Sequence, residues 1–342
     1  MFAPLLEKLH RRQDLTAGEA SAAMAEIMDG RAQPAQIAGF LVALGMKGER
    51  PGEIVGLAQA MRQRATRLSR TYAPVFDTCG TGGDRAHTFN VSTVAAIVVA
   101  AAGLTVAKHG NRSVSSRCGS ADLLEALGVN ISAPPDVVER CLAGAGIAFF
   151  FAPVFHPSMR HAAPTRKELG IRTAFNLLGP LTNPAGAARQ LVGVPKPELT
   201  ELVARSLALL GSERAWVVHG ADGLDEISTT GYTKVSECRD GAVNTFYVHP
   251  SDFQLAKAAP TDLRGGDAAE NAAIARRVLA GEPGPARDIV LLNAAVSLLI
   301  AGEVTTVHDG LGRAARAIDE GTASTRLEQL AALSQSEAAS RP

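Results

Sequence analysis

Asp77-Thr-Cys-Gly-Thr-Gly-Gly-Asp-Arg-Ala-His-Thr-Phe-Asn-Val-Ser-Thr93 sets three glycines within four positions, between Asp77 and Asp84, just ahead of an apolar run. Glycine is costly to order, so such a cluster needs a reason. Val75-Phe76-Asp77-Thr78 before it reads as a strand, and Val94–Ala102 after it reads as a buried helix closed by Gly103. Leu104–Ala107 reads as the next strand. Strand, loop, helix, strand is a βαβ unit, which implies a parallel sheet with a right-handed crossover.

The alternation continues outward from there. Helices are expected near Ala121–Leu127, Pro135–Ala145 and Leu199–Leu210, with strands at Ile147–Phe151 and Ala215–His219. Thr233–Val248 reads instead as an antiparallel hairpin turning at Asp240-Gly241. From Ala268 onward the pattern is mostly helical, with fraying expected after Ala331. Toward the N-terminus the grammar is helical throughout. Thr16-Ala-Gly-Glu19 is a capping-box pattern, Pro51 suits a first helical turn, and Ile37, Phe40, Leu41 and Leu44 share one helix face. The expected fold class is α/β: a small all-helical domain plus a larger α/β domain whose mostly parallel central sheet is flanked by helices. The helical domain is expected over residues 1–72, and the α/β domain from residue 73 onward.

The chain has 342 residues, with Lys plus Arg and Asp plus Glu both at 34, so its net charge is zero. That leaves no polybasic footprint for nucleic acid. Cys79, Cys118, Cys141 and Cys238 are scattered and read as buried free thiols. The longest apolar stretch, around Val94–Ala107, is shorter than the about 20 residues that span a bilayer. The N-terminus lacks the apolar core of a signal peptide. A soluble, reduced, cytoplasmic protein is expected, with no membrane partner.

Ligands of parallel sheets sit at the carboxyl ends of the strands, and three polar clusters fall there. Gly80, Gly82 and Gly83 can turn successive backbone N–H groups toward an anion, with the next helix N-terminus adding partial positive charge. Asn90, Ser92 and Thr93 add side-chain donors, and Ser92 adds an oxygen for a hard cation. A plain tight turn is the competing reading, and the loop matches neither dinucleotide nor Walker spacing. Asp84 would repel phosphate, so it fits better beside magnesium or a sugar hydroxyl. The second cluster, Lys108-His-Gly-Asn-Arg-Ser-Val-Ser-Ser116 with Ser120, offers cations and hydroxyls for phosphate, or is a solvated loop. The third, His219–Glu226, ends in an adjacent Asp225-Glu226 pair. That pair suits Mg²⁺, which takes one or two carboxylates plus substrate phosphates, or is simply a surface acidic pair. A fourth stretch, Phe155–Pro184, mixes Arg160, Arg166, Arg172, His156 and His161 with apolar residues, as a pocket for a small, flat, acidic molecule would. Arg166 can take a carboxylate bidentately. Exposed basic residues at a helix start are the alternative.

Six motifs in order resemble the anthranilate phosphoribosyltransferases of tryptophan biosynthesis: Asp77–Asp84, Phe89–Thr93, Lys108–Arg112, Cys118–Asp122, Arg172–Pro184 and Gly223–Glu226. The resemblance implies transfer of the phosphoribosyl group of 5-phosphoribosyl 1-diphosphate to the amine of anthranilate, releasing diphosphate. This is the second step of tryptophan biosynthesis from chorismate, and it depends on Mg²⁺, one or two ions. By the same resemblance Gly80, Gly83, Asp84, Thr88, Asn90, Val91, Ser92 and Thr93 contact the phosphoribosyl donor. So do Lys108, His109, Gly110, Asn111, Arg112, Ser113, Val114, Ser115, Ser116 and Ser120. Gly80, Asn111 and Arg166 correspond to anthranilate contacts, with His109, His156, Arg172 and Pro180 lining the approach. Ser92, Asp225 and Glu226 correspond to metal ligands. No residue is assigned as acid or base. The family implies a homodimer joined through the helical domain, which also recruits the segment near residues 165–190. The α/β domain is then 73–164 with 191–342. A pyrimidine nucleoside phosphorylase, or a nucleic-acid-binding relative without catalysis, are the alternatives on the same fold.

Overall fold

The structure, a computed structural model, describes residues 1–72, 74–84, 86–113 and 117–337. Val114, Ser115 and Ser116 lie outside the described residues, so nothing is placed for them.

Four helices begin the chain: α1 (Phe2–His10), α2 (Ala17–Met28), α3 (Pro34–Lys47) and α4 (Pro51–Gln63). Their starts follow from sequence. Thr16 Oγ1 accepts the Glu19 N–H at 3.2 Å, and the Glu19 carboxylate accepts the Thr16 N–H at 2.9 Å, which closes the capping box. Pro34 and Pro51 open α3 and α4, where a missing N–H costs nothing. The stripe Ile37, Phe40, Leu41 and Leu44 is fully buried. Gly56 lets α4 lie tight on α2, since a Cβ there would sit 2.1 Å from the Ala17 carbonyl oxygen.

Seven strands form one sheet: β1 (Phe76–Gly80), β2 (Val106–Gly110), β3 (Ile147–Phe151), β4 (Arg189–Gly193), β5 (Arg214–Gly220), β6 (Thr233–Arg239) and β7 (Ala242–Val248). Their order is β3-β2-β1-β4-β5-β6-β7. The first five run parallel, and β6 and β7 pair antiparallel. Asp240 and Gly241 both hold positive φ, 51° and 80°, as a two-residue hairpin loop requires. The chain steps outward from β1 to β3 on one side and from β4 to β7 on the other. The switch point therefore lies between β1 and β4, where Gly80 pairs with Gly193.

Two elements depart from the sequence pattern. β2 runs Val106–Gly110, later than Leu104–Ala107, so Lys108 and His109 belong to the strand and are buried. They tolerate burial because Lys108 Nζ donates to the Thr78 carbonyl at 2.6 Å, and the His109 N–H donates to Asp77 at 3.1 Å. β4 is not announced by an apolar run. It opens on Arg189-Gln190, and the buried Gln190 amide is held by the Pro180 carbonyl at 2.8 Å.

Alternation along the strands splits the core. Leu191, Trp216 and Val218 face one side, packed with α5 (Val91–Ala101), α6 (Ser120–Ala126), α7 (Pro135–Ala145) and the later helices α12 (Ala268–Leu279), α13 (Pro285–Ile300), α14 (Val307–Asp319) and α15 (Thr322–Ser334). Val192, Ala215 and Val217 face the other, packed with α1 to α4 and α11 (Leu199–Leu209). Between β3 and β4 the chain crosses to that second side through α8 (Ala152–Phe155), α9 (Ala163–Leu169) and α10 (Phe175–Leu178). The end does not fray at Ala331: α15 continues to Ser334, whose hydroxyl accepts the Asn130 N–H at 2.9 Å. The four cysteines are buried free thiols. No helix among the described residues is long and apolar enough to cross a membrane.

Candidate active site

The carboxyl ends of β1 and β2, the segment after β3 and the loop after β5 open into a cavity of about 620 Å³. Its first wall is the glycine loop. Gly82 and Gly83 hold φ of 64° and 80°, the left-handed region that glycine enters freely. Gly80 answers a different need. A Cβ there would lie 2.3 Å from Asp225 Oδ2, and a Cβ on Gly193 would lie 1.6 Å from the Asp225 carbonyl oxygen. These glycines let the loop after β5 seat its acidic pair directly on the ends of β1 and β4.

That seating is hydrogen-bonded. Asp225 Oδ2 accepts the Gly82 N–H at 3.2 Å. Glu226 Oε1 accepts the Ser92 N–H at 3.0 Å, in the first turn of α5, where the helix dipole favours a carboxylate. Asp84 shares a side-chain hydrogen bond with Asp225. Burial pushes Asp225 up to about 7, with the Asp84 charge adding to it. Burial likewise pushes Glu226 up to about 8, reinforced by Asp225 and opposed by Lys108. Buried carboxylates so close together call for a cation. Lys108 faces Asp225 and Glu226, Arg172 faces Asp225 and Asp84, and burial lowers the pKa of both cations. Among the described residues no three His, Cys, Asp or Glu side chains form a closed metal cage. The donor set is instead open and all-oxygen, Asp225, Glu226 and the Ser92 hydroxyl, which fits a hard cation completed by ligand oxygens.

Below the loop lies a buried polar layer. Asp77 accepts from the His109 N–H at 3.1 Å and from Asn183 Nδ2 at 2.7 Å, and Asn183 Nδ2 also donates to the Ala107 carbonyl at 2.7 Å. Asn183 therefore ties the end of the crossing segment to β1 and β2.

The second half of the cavity is more apolar. His109 Nδ1 lies 3.0 Å from the Gly179 carbonyl, and the His109 and His156 rings are 5.3 Å apart. Burial drives His109 down to about 3 and His156 down to about 4, so both are neutral at physiological pH. Each keeps a buried Nε2 with no partner among the described residues. The Arg166 guanidinium lies 4.9 Å above the Phe175 ring and has no ion pair among the described residues. Arg172 reaches back to the glycine loop, with Nη2 donating to the Thr81 carbonyl at 3.2 Å. A Cβ on Gly83 would sit 1.8 Å from Arg172 Nη1.

The loop after β2 is shaped from within. Arg112 Nη1 donates to Asp122 at 2.8 Å, and both its terminal nitrogens reach Glu125 at 2.9 Å. Asp122 also accepts the Ser113 and Gly119 N–H groups at 3.1 and 2.8 Å. Ser120 Oγ donates to the Asn111 carbonyl at 3.3 Å.

The one cavity brings together Gly80, Gly83, Asp84, Thr88, Asn90, Val91, Ser92 and Thr93 with Lys108 to Ser113 and Ser120. His156, Arg166, Arg172, Pro180, Asp225 and Glu226 line it too. Sequence reasoning missed Phe175 and Met159, whose apolar side chains carry no polar signal. It also missed Asp77 and Asn183, whose motifs were quoted but whose burial beneath the floor only the fold reveals.

Residues 3–65 match the "Glycosyl transferase family, helical bundle domain", and residues 72–324 match the "Glycosyl transferase family, a/b domain". The chain is 56% identical over 339 residues to the anthranilate phosphoribosyltransferase of Moorella thermoacetica, covering 99% of this chain and 100% of that one. The anthranilate phosphoribosyltransferase structure from Thermus thermophilus superposes with a TM-score of 0.91 at 45% identity, covering 97% and 99% of the two chains. The Saccharomyces cerevisiae enzyme in complex with PRPP and Mg superposes with a TM-score of 0.89 at 29% identity, covering 97% of each.

Proposed function

This chain belongs to the anthranilate phosphoribosyltransferase family, and from that membership we propose how its cavity performs the reaction. The enzyme moves the phosphoribosyl group of PRPP onto the amine of anthranilate and releases diphosphate, in tryptophan biosynthesis. One observation carries the placement of the substrates: the glycine loop, the Asp225-Glu226 pair and Arg166 open into the same cavity.

The donor's diphosphate lies against the glycine loop and the N-terminus of α5. There the Gly83 main-chain N–H, with the Asn90, Ser92 and Thr93 side chains, meets its oxygens, the Thr81 and Gly82 N–H groups being taken by the Gly193 carbonyl and Asp225 Oδ2. Asp84 and Thr88 face the sugar end, and the strand end and loop from Lys108 to Ser113, with Ser120, close the other side. The Arg112 guanidinium, held by Asp122 and Glu125, shapes that loop more than it reaches for phosphate. Ser92, Asp225 and Glu226 would hold Mg²⁺, one or two ions, which would supply charge neutralisation at the departing diphosphate.

As the bond from the sugar to diphosphate lengthens, negative charge grows on the leaving group. The Gly83 amide, the N-terminus of α5 and Lys108, anchored on the Thr78 carbonyl, are held by the fold around that charge. Anthranilate sits in the other half. Arg166 takes its carboxylate, Gly80 and Asn111 flank it, and His109, His156, Arg172 and Pro180 line its approach. The aromatic amine is already neutral and its lone pair is free, so the site needs orientation more than a general base. The two neutral histidines fit that role.

Three further placements belong to this reading. Residues 1–72 with about 165–190 form the helical domain, and 73–164 with 191–342 form the α/β domain; the shared apolar packing of α1 to α4 with Phe175, Leu178 and Leu181 supports it. Two copies pair through the helical domain. The enzyme works in the cytoplasm, for which the free buried thiols are suited.

The test is loss of anthranilate fluorescence when PRPP is added, with and without Mg²⁺. Loss that requires both PRPP and Mg²⁺ supports the reading. Undiminished fluorescence with both present refutes it.

A further inference from the structure

Asn271 lies in α12, 181 positions from Asn90, and is 2% exposed. It belongs to a strap that runs along the glycine loop. The Phe89 N–H donates to the Leu263 carbonyl at 3.2 Å, and the Gly265 N–H donates to the His87 carbonyl at 2.9 Å. Thr88 and Arg264 form an antiparallel bridge between them. A Cβ on Gly265 would sit 2.6 Å from the Phe89 nitrogen, so the two segments touch backbone to backbone. Asp267 then caps α12 and fixes the strap's far end, accepting the Ala269 and Glu270 N–H groups at 3.0 Å.

The strap also sets a polarity. The Gly266 main-chain N–H donates to Asn271 Oδ1 at 2.7 Å. A main-chain N–H cannot reverse its role, so Asn271 must turn its Nδ2 the other way. That Nδ2 donates to Asn90 Oδ1 at 3.0 Å. Cys118 holds the Asn90 amide the same way round: its carbonyl accepts one Nδ2 hydrogen at 3.1 Å, and its Sγ donates to Asn90 Oδ1 at 3.2 Å. The second Nδ2 hydrogen has no partner among the described residues, and Asn90 lines the cavity.

We propose that Asn271 is a positioning residue that acts through Asn90. Together with Cys118, it fixes the Asn90 amide so that an N–H, not a carbonyl oxygen, faces the phosphate oxygens of the donor. This rests on the placement of the donor argued above. An amide flipped the other way would put an acceptor against an anion.

The experiment compares wild type, Asn271→Asp, Asn271→Ala, Asn90→Ala and the double variant Asn90→Ala/Asn271→Asp. Each is assayed for KM of both substrates, and its melting temperature is measured. Aspartate keeps the size and still accepts from Gly266, but it sets an acceptor against Asn90 Oδ1, so the amide must flip against the Cys118 carbonyl or leave its place. The KM for PRPP then rises roughly 10- to 100-fold, the worth of one hydrogen bond to a charged group. The KM for anthranilate stays within about twofold, as uncoupled contacts do. Alanine, which leaves the amide free to turn, gives a smaller rise. In the Asn90→Ala background the aspartate adds nothing further. An unchanged PRPP KM in Asn271→Asp overturns the proposal. So do equal rises for both substrates, or full additivity in the double variant, because each marks a merely structural role. Active wild type with any of these results removes this inference alone, whereas inactive wild type removes the functional reading with it.

Discussion

Asp225 Oδ2 accepts the Gly82 main-chain N–H at 3.2 Å, across 143 positions of sequence. The acidic loop after β5 and the glycine loop after β1 are thus one construction, and the bare positions Gly80 and Gly193 are what permit it. Alanine at Gly193 forces the Asp225 backbone to move, because its Cβ would lie 1.6 Å from a main-chain oxygen. Overpacking of this kind costs about 1–3 kcal/mol or more. Alanine at Gly80 meets only the end of a side chain, at 2.3 Å, so Asp225 can swing away. Gly193→Ala is expected to lower the melting temperature more, while Gly80→Ala chiefly raises the Mg²⁺ needed for half-maximal rate. Melting curves with the order reversed would contradict the packing argument.

Removing the acidic pair tests its role directly. Asp225→Asn with Glu226→Gln keeps shape and removes charge. The Mg²⁺ concentration for half-maximal rate is expected to rise on the order of tenfold or more, since a hard cation loses its anionic ligands. A Mg²⁺ titration with an unchanged midpoint takes Asp225 and Glu226 out of the metal site.

The same pair predicts a pH dependence. Asp225 and Glu226 hold protons up to about 7 and about 8 in the folded chain, against roughly 4 when unfolded. The folded state binds more protons between those limits. The pair's contribution to stability is therefore full below about pH 4 and is lost as pH rises toward about 8. Mg²⁺ competes with those protons, so the stabilisation it adds grows over the same window. Metal-free wild type is expected to lose more melting temperature between about pH 6 and pH 8.5 than the charge-neutral double variant. Parallel profiles would show that the raised values do not bear on folding.

Arg166 carries a charge over the Phe175 ring with no ion-pair partner among the described residues. Arg166→Ala is expected to raise the KM for anthranilate roughly 10- to 100-fold, the worth of a lost charge-assisted pair. The KM for PRPP should stay near wild type. Initial-rate kinetics with each substrate varied in turn decide it, and equal rises would place Arg166 elsewhere.

Much of this was legible because glycine, proline and capping residues report backbone needs locally. The triple-glycine bend, the Asp240-Gly241 hairpin and the Thr16 box stand where the sequence puts them. What stayed hidden depends on partners far away in the chain. Lys108 and His109 look like loop residues until Thr78 and Asp77 are found to satisfy them inside β2. β4 hides behind Arg189-Gln190 because the contact that lets Gln190 be buried, the Pro180 carbonyl, is not a property of the strand itself. The Gly266 contact of Asn271 is local, but its bearing on the cavity lies in Asn90, 181 positions away.

The most direct test of the central claim is a crystal structure of this enzyme with PRPP and Mg²⁺ bound. The diphosphate is expected beside Gly80–Gly83 and the first turn of α5, with the cation between it and Asp225-Glu226. A diphosphate bound away from the glycine loop, or a cation with neither carboxylate near it, would contradict the account.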